Sequence, residues 1–410
     1  MAERLFRNGR FSFVGEVVAS NEPMTTKKLS DTSKWSRTRL NLGVKNDSNA
    51  QFLTMEYIHT DSVKTCKLLG KDGEMFEISL TDTMKPEVLK KVMDSVKIVV
   101  DLETDFEKKK EYTSLIFKKR NHEMKKEEDK TEDDEQKVLE YTNQINELAN
   151  NRVEFAHMKD VIKFINASLP CLQKHKVRIT GQVKSNYYNS KNNLQYIPNF
   201  IEIVPEDTEN HLKLFADIFY DKDGIDDDKK LKKMIVNGYV GERIKKVDKL
   251  YPLTVVIDYD KIDLENEEQV ALLDFMKETF SITNKKMVHK IGVEINVING
   301  AEVVEFDESC LTDQQKMAVK LGIKKVEDFK PRGNTYGDRM QELRVCCPDL
   351  KAFPNGCKEV FAIKDLADYL VQDDSDVSIS DVKKEETKEE AKVEAPQEES
   401  AEDKLKRLFG

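Results

Sequence analysis

Hydrophobic and polar positions alternate along the first sixty residues. Residues 10–19 (RFSFVGEVVA) alternate around Gly15, residues 37–44 (RTRLNLGV) alternate again, and residues 51–59 (QFLTMEYIH) form a third run rich in aromatic and apolar side chains. Period two is the mark of half-buried strands, so three strands are predicted. Leu68 to Leu80 carries the turn signal Gly70-Lys71-Asp72-Gly73 between two short apolar runs and reads as a hairpin. A short helix is predicted from Pro86 to Met93 and a buried strand from Val96 to Leu102. From Glu107 to Arg152 charge dominates, but Val138, Leu139, Tyr141, Ile145 and Leu148 fall near helical spacing. That segment is either an exposed insertion or a solvated helix.

An amphipathic helix follows over Val161 to Leu172, stopped near Pro170. Strands are predicted at Val177 to Ser185 and Leu194 to Val204, joined by an Asn-rich loop, 186–193. The pattern then repeats. Strand His211 to Tyr220, an acidic loop Asp221 to Asp228, strands Met234 to Ile244 and Leu253 to Tyr259, and helix Glu267 to Phe280 precede two strands at Ile291 to Ile298 and Glu302 to Phe306. Asn299-Gly300 is read as the hairpin turn between the last two. Each half therefore reads as three strands, a helix and two strands, the order of a five-stranded Greek-key barrel. A Gly-x-Val motif recurs at Gly15, Gly181 and Gly238, where a strand glycine marks a bulge or sharp coil. Residues 311–370 read as mostly helical, with a start at Thr312 and a stop at Gly322, and a second helix from Ala362 to Leu370.

Charge divides the chain further. Of its 410 residues 35% are charged, and the formal net charge is −10. Residues 371–403 hold thirteen acids against four lysines and no large aromatic, which reads as a disordered tail. It ends in a small apolar motif at Leu405, Leu408 and Phe409. Residues 123–135 hold eight acids against three lysines, whereas residues 1–45 hold nine Lys or Arg against four acids. Most telling is the window from Val161 to Ile201, which has no acid at all. The expected organisation is a barrel over 1–205 with a charged insertion at about 107–152, a second barrel domain over 206–308, a small helical region over 309–370 and the acidic tail over 371–410.

Basic side chains neutralise phosphates and flat rings stack on unpaired bases, so strand-like sequence that interleaves the two suits a single-stranded nucleic acid. Lys174, Lys176, Arg178, Lys184, Tyr187, Tyr188, Lys191 and Tyr196 interleave in this way inside the acid-free window. Lys34, Trp35, Arg37 and Arg39 form a second such set between the first two predicted strands. Trp35, the only tryptophan, admits two readings: stacking on a base, or capping the edge of the core. The charges of 174–178 likewise admit a solvated face beside phosphate contact.

Other chemistry finds little support. Cys346, Cys347 and Cys357 lack the CxxC pairs or histidines of a zinc site and read as ordinary thiols. Asp221 to Asp228 lacks the glutamate and flanking helices of a calcium loop. No phosphate-binding loop, nucleophile elbow or metalloprotease motif occurs, so no enzyme, metal or cofactor is expected. No signal peptide or membrane-length apolar run is found, and a reduced, cytoplasmic setting is the expectation.

With these strand patterns around Gly15 and Gly181, the Lys/Arg/Tyr interleaving at 174–198 and the acidic tail with its Leu408-Phe409 tip, the chain resembles OB-fold single-stranded DNA-binding proteins of the bacteriophage replication type. The resemblance covers architecture over about residues 5–306 and the tail. It implies a mainly β fold of two OB-like barrels, sequence-tolerant binding of single-stranded DNA in replication or recombination, and a tail that recruits replication proteins through Leu405, Leu408 and Phe409. In this chain Lys404, Lys406 and Arg407 precede the tip, a departure from a purely acidic approach to it. The rival class is a phage structural or assembly protein that uses such domains as adaptors without binding nucleic acid.

Overall fold

The computed structural model describes residues 5–18, 22–46, 49–125, 129–149, 151–188, 191–244, 247–260, 262, 265–304, 311–329, 335–349 and 359–371. The chain divides into two units: Met1–Asn186 with Asn192–Val371, and Tyr187–Lys191 with Gln372–Gly410. The first unit carries the fold.

Strands β1 (Arg10–Val18), β2 (Met24–Lys28), β3 (Ser36–Asn46) and β4 (Asn49–His59) open the chain. Then come β5 (Thr65–Leu69), β6 (Met75–Ser79), α1 (Pro86–Lys91) and β7 (Ile98–Asp101). Helices α2 (Phe106–Glu123) and α3 (Glu132–Leu148) separate β7 from β8 (Arg152–Phe155). Helix α4 (Met158–Leu172) leads into β9 (Lys176–Tyr188) and β10 (Lys191–Ile203). The second half comprises β11 (His211–Tyr220), β12 (Ile225–Asp228), β13 (Lys233–Ile244), β14 (Val247–Asp258), α5 (Glu267–Phe280) and β15 (Met287–Val304). It closes with α6 (Asp313–Lys320), β16 (Thr335–Pro348), β17 (Glu359–Ala362) and α7 (Ile363–Leu366).

The fold is mainly β, with helices set against it. All strands but the β5–β6 hairpin join one mixed sheet. Strand β1 is its hub: it pairs antiparallel with β9 over Arg10 to Glu16, with β11 over Arg10 to Val14 and with β3 over Glu16 to Val18. Strand β11 pairs in turn with β13 and β15, so the sheet passes from one half of the chain to the other without a break. In the first half the neighbours run β4-β3-β1-β9-β10. The outer edge of β10 is taken by β7, in parallel, and that of β4 by β15. A continuous sheet thus stands where two separate five-stranded barrels were expected.

In the first half a core lies against one face of the strands. Phe11, Phe13, Leu40, Leu42, Leu53, Met55, Val177 and Ile179 alternate inward from β1, β3, β4 and β9. Helix α4 lays Val161, Ile162, Ile165, Leu169 and Leu172 against them, an i, i+4, i+7 stripe in keeping with its amphipathic sequence. The helix ends at Leu172, near Pro170 as expected, and carries that proline in its last turn, where Leu169 and Leu172 remain buried on either side. The Gly-x-Val motif has a common cause. A Cβ on Gly15, Gly181 or Gly238 would collide with the backbone carbonyl of Lys45, Ile197 or Phe219 respectively. Each glycine marks a place where another strand crosses too closely for any side chain.

Three further expectations are corrected. Residues 311–370 are not mostly helical, because the fourteen-residue β16 runs through them, antiparallel to β15. Arg, Met, Gln, Glu and Leu at 339–343 favour a helix locally, but the ladder with β15 overrides that propensity. Asn299-Gly300 is not a turn. It lies inside β15, where the Asn299 side chain donates to the Ala50 carbonyl (2.9 Å) and Gln51 Oε1 (2.6 Å) and so ties β15 to β4. Residues 225–228 of the acidic loop form β12, paired with β13. The charged insertion is resolved as the α2–α3 helical hairpin. It is closed by the Thr131–Asp134 capping box, with Asp134 also holding His122 (2.6 Å) and Lys125 (2.7 Å).

Candidate nucleic-acid interface

Strand β3 sends Thr38, Leu40, Leu42 and Val44 into the core, so Arg37, Arg39 and Asn41 must point outward. Its neighbours add to that outer face row by row. Lys27 of β2 and Ile58 of β4 flank Arg37, Thr25 and Glu56 flank Arg39, Thr54 lies beside Asn41, and Phe52 lies beside Gly43. The edge of the Phe52 ring lies over Gly43, and the side chain is still 63% exposed, unusual for phenylalanine.

These residues open onto a cleft of 390 Å³ lined by Thr25, Lys27, Lys28, Leu29, Arg37, Arg39 and Asn41. Four of the seven are cations and none is an acid. The nearest carboxylate is Glu56, which accepts from Nε (2.9 Å) and Nη2 (2.8 Å) of Arg39 and lies 3.9 Å from Nε of Arg37. One carboxylate thus orients two guanidiniums while neutralising only part of their charge. Among the described residues Lys27, Lys28 and Lys34 have no acidic partner. Trp35 sits in the turn that enters β3, half-buried, its amide donating to Ser33 Oγ (3.0 Å) and its carbonyl accepting from Leu29 N (3.0 Å). The wall of cations, the amide and hydroxyls of Asn41, Thr25 and Thr54, and the exposed Phe52 ring together offer phosphate contacts, hydrogen bonds and one stacking surface.

The acid-free window fares differently. Lys176 directs its ammonium at the carbonyls of Glu206 (2.6 Å) and Thr208 (2.9 Å), and its amide donates to Glu206 Oε1 (3.2 Å). Arg178 pairs with Glu202 at 2.9 Å. Both acids lie just past the end of the window and are brought back by the β9–β10 pairing. Tyr196 is only 4% exposed and meets Phe11 edge to face at 5.3 Å; burial pushes its phenol well up. It belongs to the core, because the inward face of β10 must fill the space above β1, and it has no face to offer a base. Lys174 and Lys184 are exposed. None of these side chains lines the β2–β3 cleft, from which β1 separates them.

Tyr187, Tyr188 and Lys191 belong to the second unit, and Leu405, Leu408 and Phe409 lie outside the described residues. Cys346 and Cys347 are half-buried thiols on β16, the former raised to about 11 by burial; Cys357 is outside the described residues. A second cleft of 650 Å³ crosses β1, β9 and β10 and includes Arg7 and Arg10. Arg7 there is bridged to Asp217 (2.9 Å) and Asp349 (2.8 Å), so that cleft is less positive than the first.

Of the residues that line this cleft or stand beside it, sequence reasoning named Arg37 and Arg39 but not Lys27, Lys28, Asn41 or Phe52. The signal for Phe52 was present: in QFLTMEYIH the inward Leu53 and Met55 leave Phe52 on the other face. Lys27 and Lys28 needed β2 itself, a five-residue polar strand with no apolar alternation to betray it. No helix among the described residues is long and apolar enough to cross a membrane.

No family model matches the chain, and no curated protein does. Among solved structures, a deletion mutant of the single-stranded DNA binding protein from Thermus aquaticus is similar at 9% identity and a TM-score of 0.27, over 72% of this chain and 87% of that one.

Proposed function

We propose that the outer face of β2, β3 and β4 binds single-stranded DNA with little regard for sequence. The observation that carries this reading is the β2–β3 cleft, where Lys27, Lys28, Arg37 and Arg39 gather with no acid in the lining. Such a wall attracts a polyanion, and an exposed aromatic beside it supplies a surface on which any base can stack. Base edges are left to a few adaptable groups, Asn41 and Thr54, which is too little for a sequence code. The strand adjacency β4-β3-β1-β9-β10 with α4 between β4 and β9 supports an OB-like reading of the first half. In that reading β2 is an extra strand folded from the loop that borders the groove. The role in replication and the recruitment of partner proteins by the tail belong to the same proposal.

The test is fluorescence anisotropy of a labelled oligo-dT against the full chain at low and high salt, with Trp35 emission followed in parallel. Tight, salt-sensitive binding is expected, with a change in emission because Trp35 borders the cleft. Absence of binding at low salt overturns the reading and leaves a structural or adaptor role as the better account.

A further inference from the structure

The α2–α3 arm has two edges of opposite character. The inner face of α2 is fixed by Tyr112, Leu115, Lys119 and His122, spaced 3, 4 and 3 and none of them exposed. The stripe diametrically opposite is Lys110, Thr113, Phe117, Arg120 and Met124, spaced 3, 4, 3 and 4; all five are exposed, Phe117 at 66% and Met124 at 69%. No acid lies on it. On α3 the inner face is Asp134, Val138, Tyr141, Ile145 and Leu148. Its far side presents Leu139, 64% exposed, among Glu132, Glu135, Glu140 and Glu147. Over their lengths α2 holds six basic and three acidic residues, α3 six acidic and one basic.

The two edges are also level. His122 touches Asp134 across the hairpin at 2.6 Å. Five residues down each helix from that contact, Phe117 and Leu139 stand at one height on opposite outer edges. If a second arm is laid beside the first in the same orientation, its α3 edge meets the α2 edge antiparallel, repeating the packing inside the hairpin. Phe117 then faces Leu139, Arg120 faces the Glu132–Glu135 turn, and Lys110 faces Glu147. Contacts between like edges would set cation against cation or acid against acid.

We propose that copies of this chain associate side by side through the arm, the α2 edge of one against the α3 edge of the next. The contact is heterologous, so a pair still has one unused edge of each kind, one on each copy, and the array grows without closing. One aromatic contact and a few exposed ion pairs make it weak and sensitive to salt. It does not rest on the nucleic-acid reading, and its test contains no nucleic acid.

Sedimentation velocity of the full chain across a wide concentration range decides it. The average mass should rise past that of a dimer without a plateau at low salt and fall back at high salt. Arg120→Glu and Glu135→Lys should each abolish growth, and mixing the two variants should restore it, because the intact edges pair as before and the two reversed charges, now of opposite sign, pair with each other. Phe117→Ser should weaken association about tenfold, the scale of a lost aromatic anchor. All three positions are exposed, so circular dichroism should show an unchanged fold. A monomer at every concentration in low salt overturns the proposal. So does a closed dimer, or growth that the arm variants leave unaltered.

Discussion

The β2–β3 cleft and strand β9 are both rich in cations, yet they differ in what meets those cations in space. In sequence β9 is the stronger candidate, since Lys176 and Arg178 lie within forty-one residues that contain no acid. In space Glu202 of the next strand pairs with Arg178, and the turn beyond it takes the Lys176 ammonium on the carbonyls of Glu206 and Thr208. The cleft has the weaker sequence signal, interrupted by Asp31 and facing Glu56, yet four cations line it and the single carboxylate beside them is shared by two arginines. Strand pairing decides which cations are available, and sequence windows do not see across the ladder.

Four variants break or sharpen that contrast. Reversing both arginines, Arg37→Glu with Arg39→Glu, changes four units of charge in the cleft. At about 0.7 decade per unit near 0.1 M salt, anisotropy should show a loss of affinity on the order of 10³-fold. Removing the ring by Phe52→Ala should cost about tenfold, the low end for one stacked base, with the slope of affinity against salt unchanged. On β9 the readout should move from binding to stability. Lys176→Ala releases the 206–208 segment and should lower stability by about 1 kcal/mol in denaturant unfolding while affinity stays within about twofold. The gentlest change is Glu56→Gln, which leaves two guanidiniums uncompensated and should tighten binding roughly twofold to threefold at low salt, a gain that salt should erase. If Lys176→Ala weakens binding as much as the arginine reversal does, the contrast between the two regions fails.

Much of the scaffold was legible in the chain. The strands centred on Gly15, Leu42, Leu53, Ile179 and Phe215 and the helix over Glu267–Phe280 all follow from periods of two and 3.6, because each buries one face in a shared core. What escaped the reading depends on partners distant in sequence. Strand β16 is held by β15 rather than by its own composition, and Asn299-Gly300 is kept straight by side-chain bonds to β4. The core position of Tyr196 was open in the sequence, since alternation tells that Leu194 and Tyr196 share a face but not which face. In the candidate site the cations of β3 were readable from alternation alone. Those of β2 became visible only once that strand was laid against β3.

The neck of the arm has a consequence for how this chain tolerates change. Strands β7 and β8 pair antiparallel, with Asp101 directly opposite Arg152, so the two ends of the insertion leave the sheet only about 5 Å apart. A segment whose ends are already joined by a ladder demands no particular length of what lies between them. The arm can be shortened to a tight turn, lengthened or exchanged for another small domain, and the sheet below is asked for no new register. The body and the arm can therefore diversify at different rates, the arm being held to the body at its base, where Lys109 meets Glu202 and the Ile203 carbonyl.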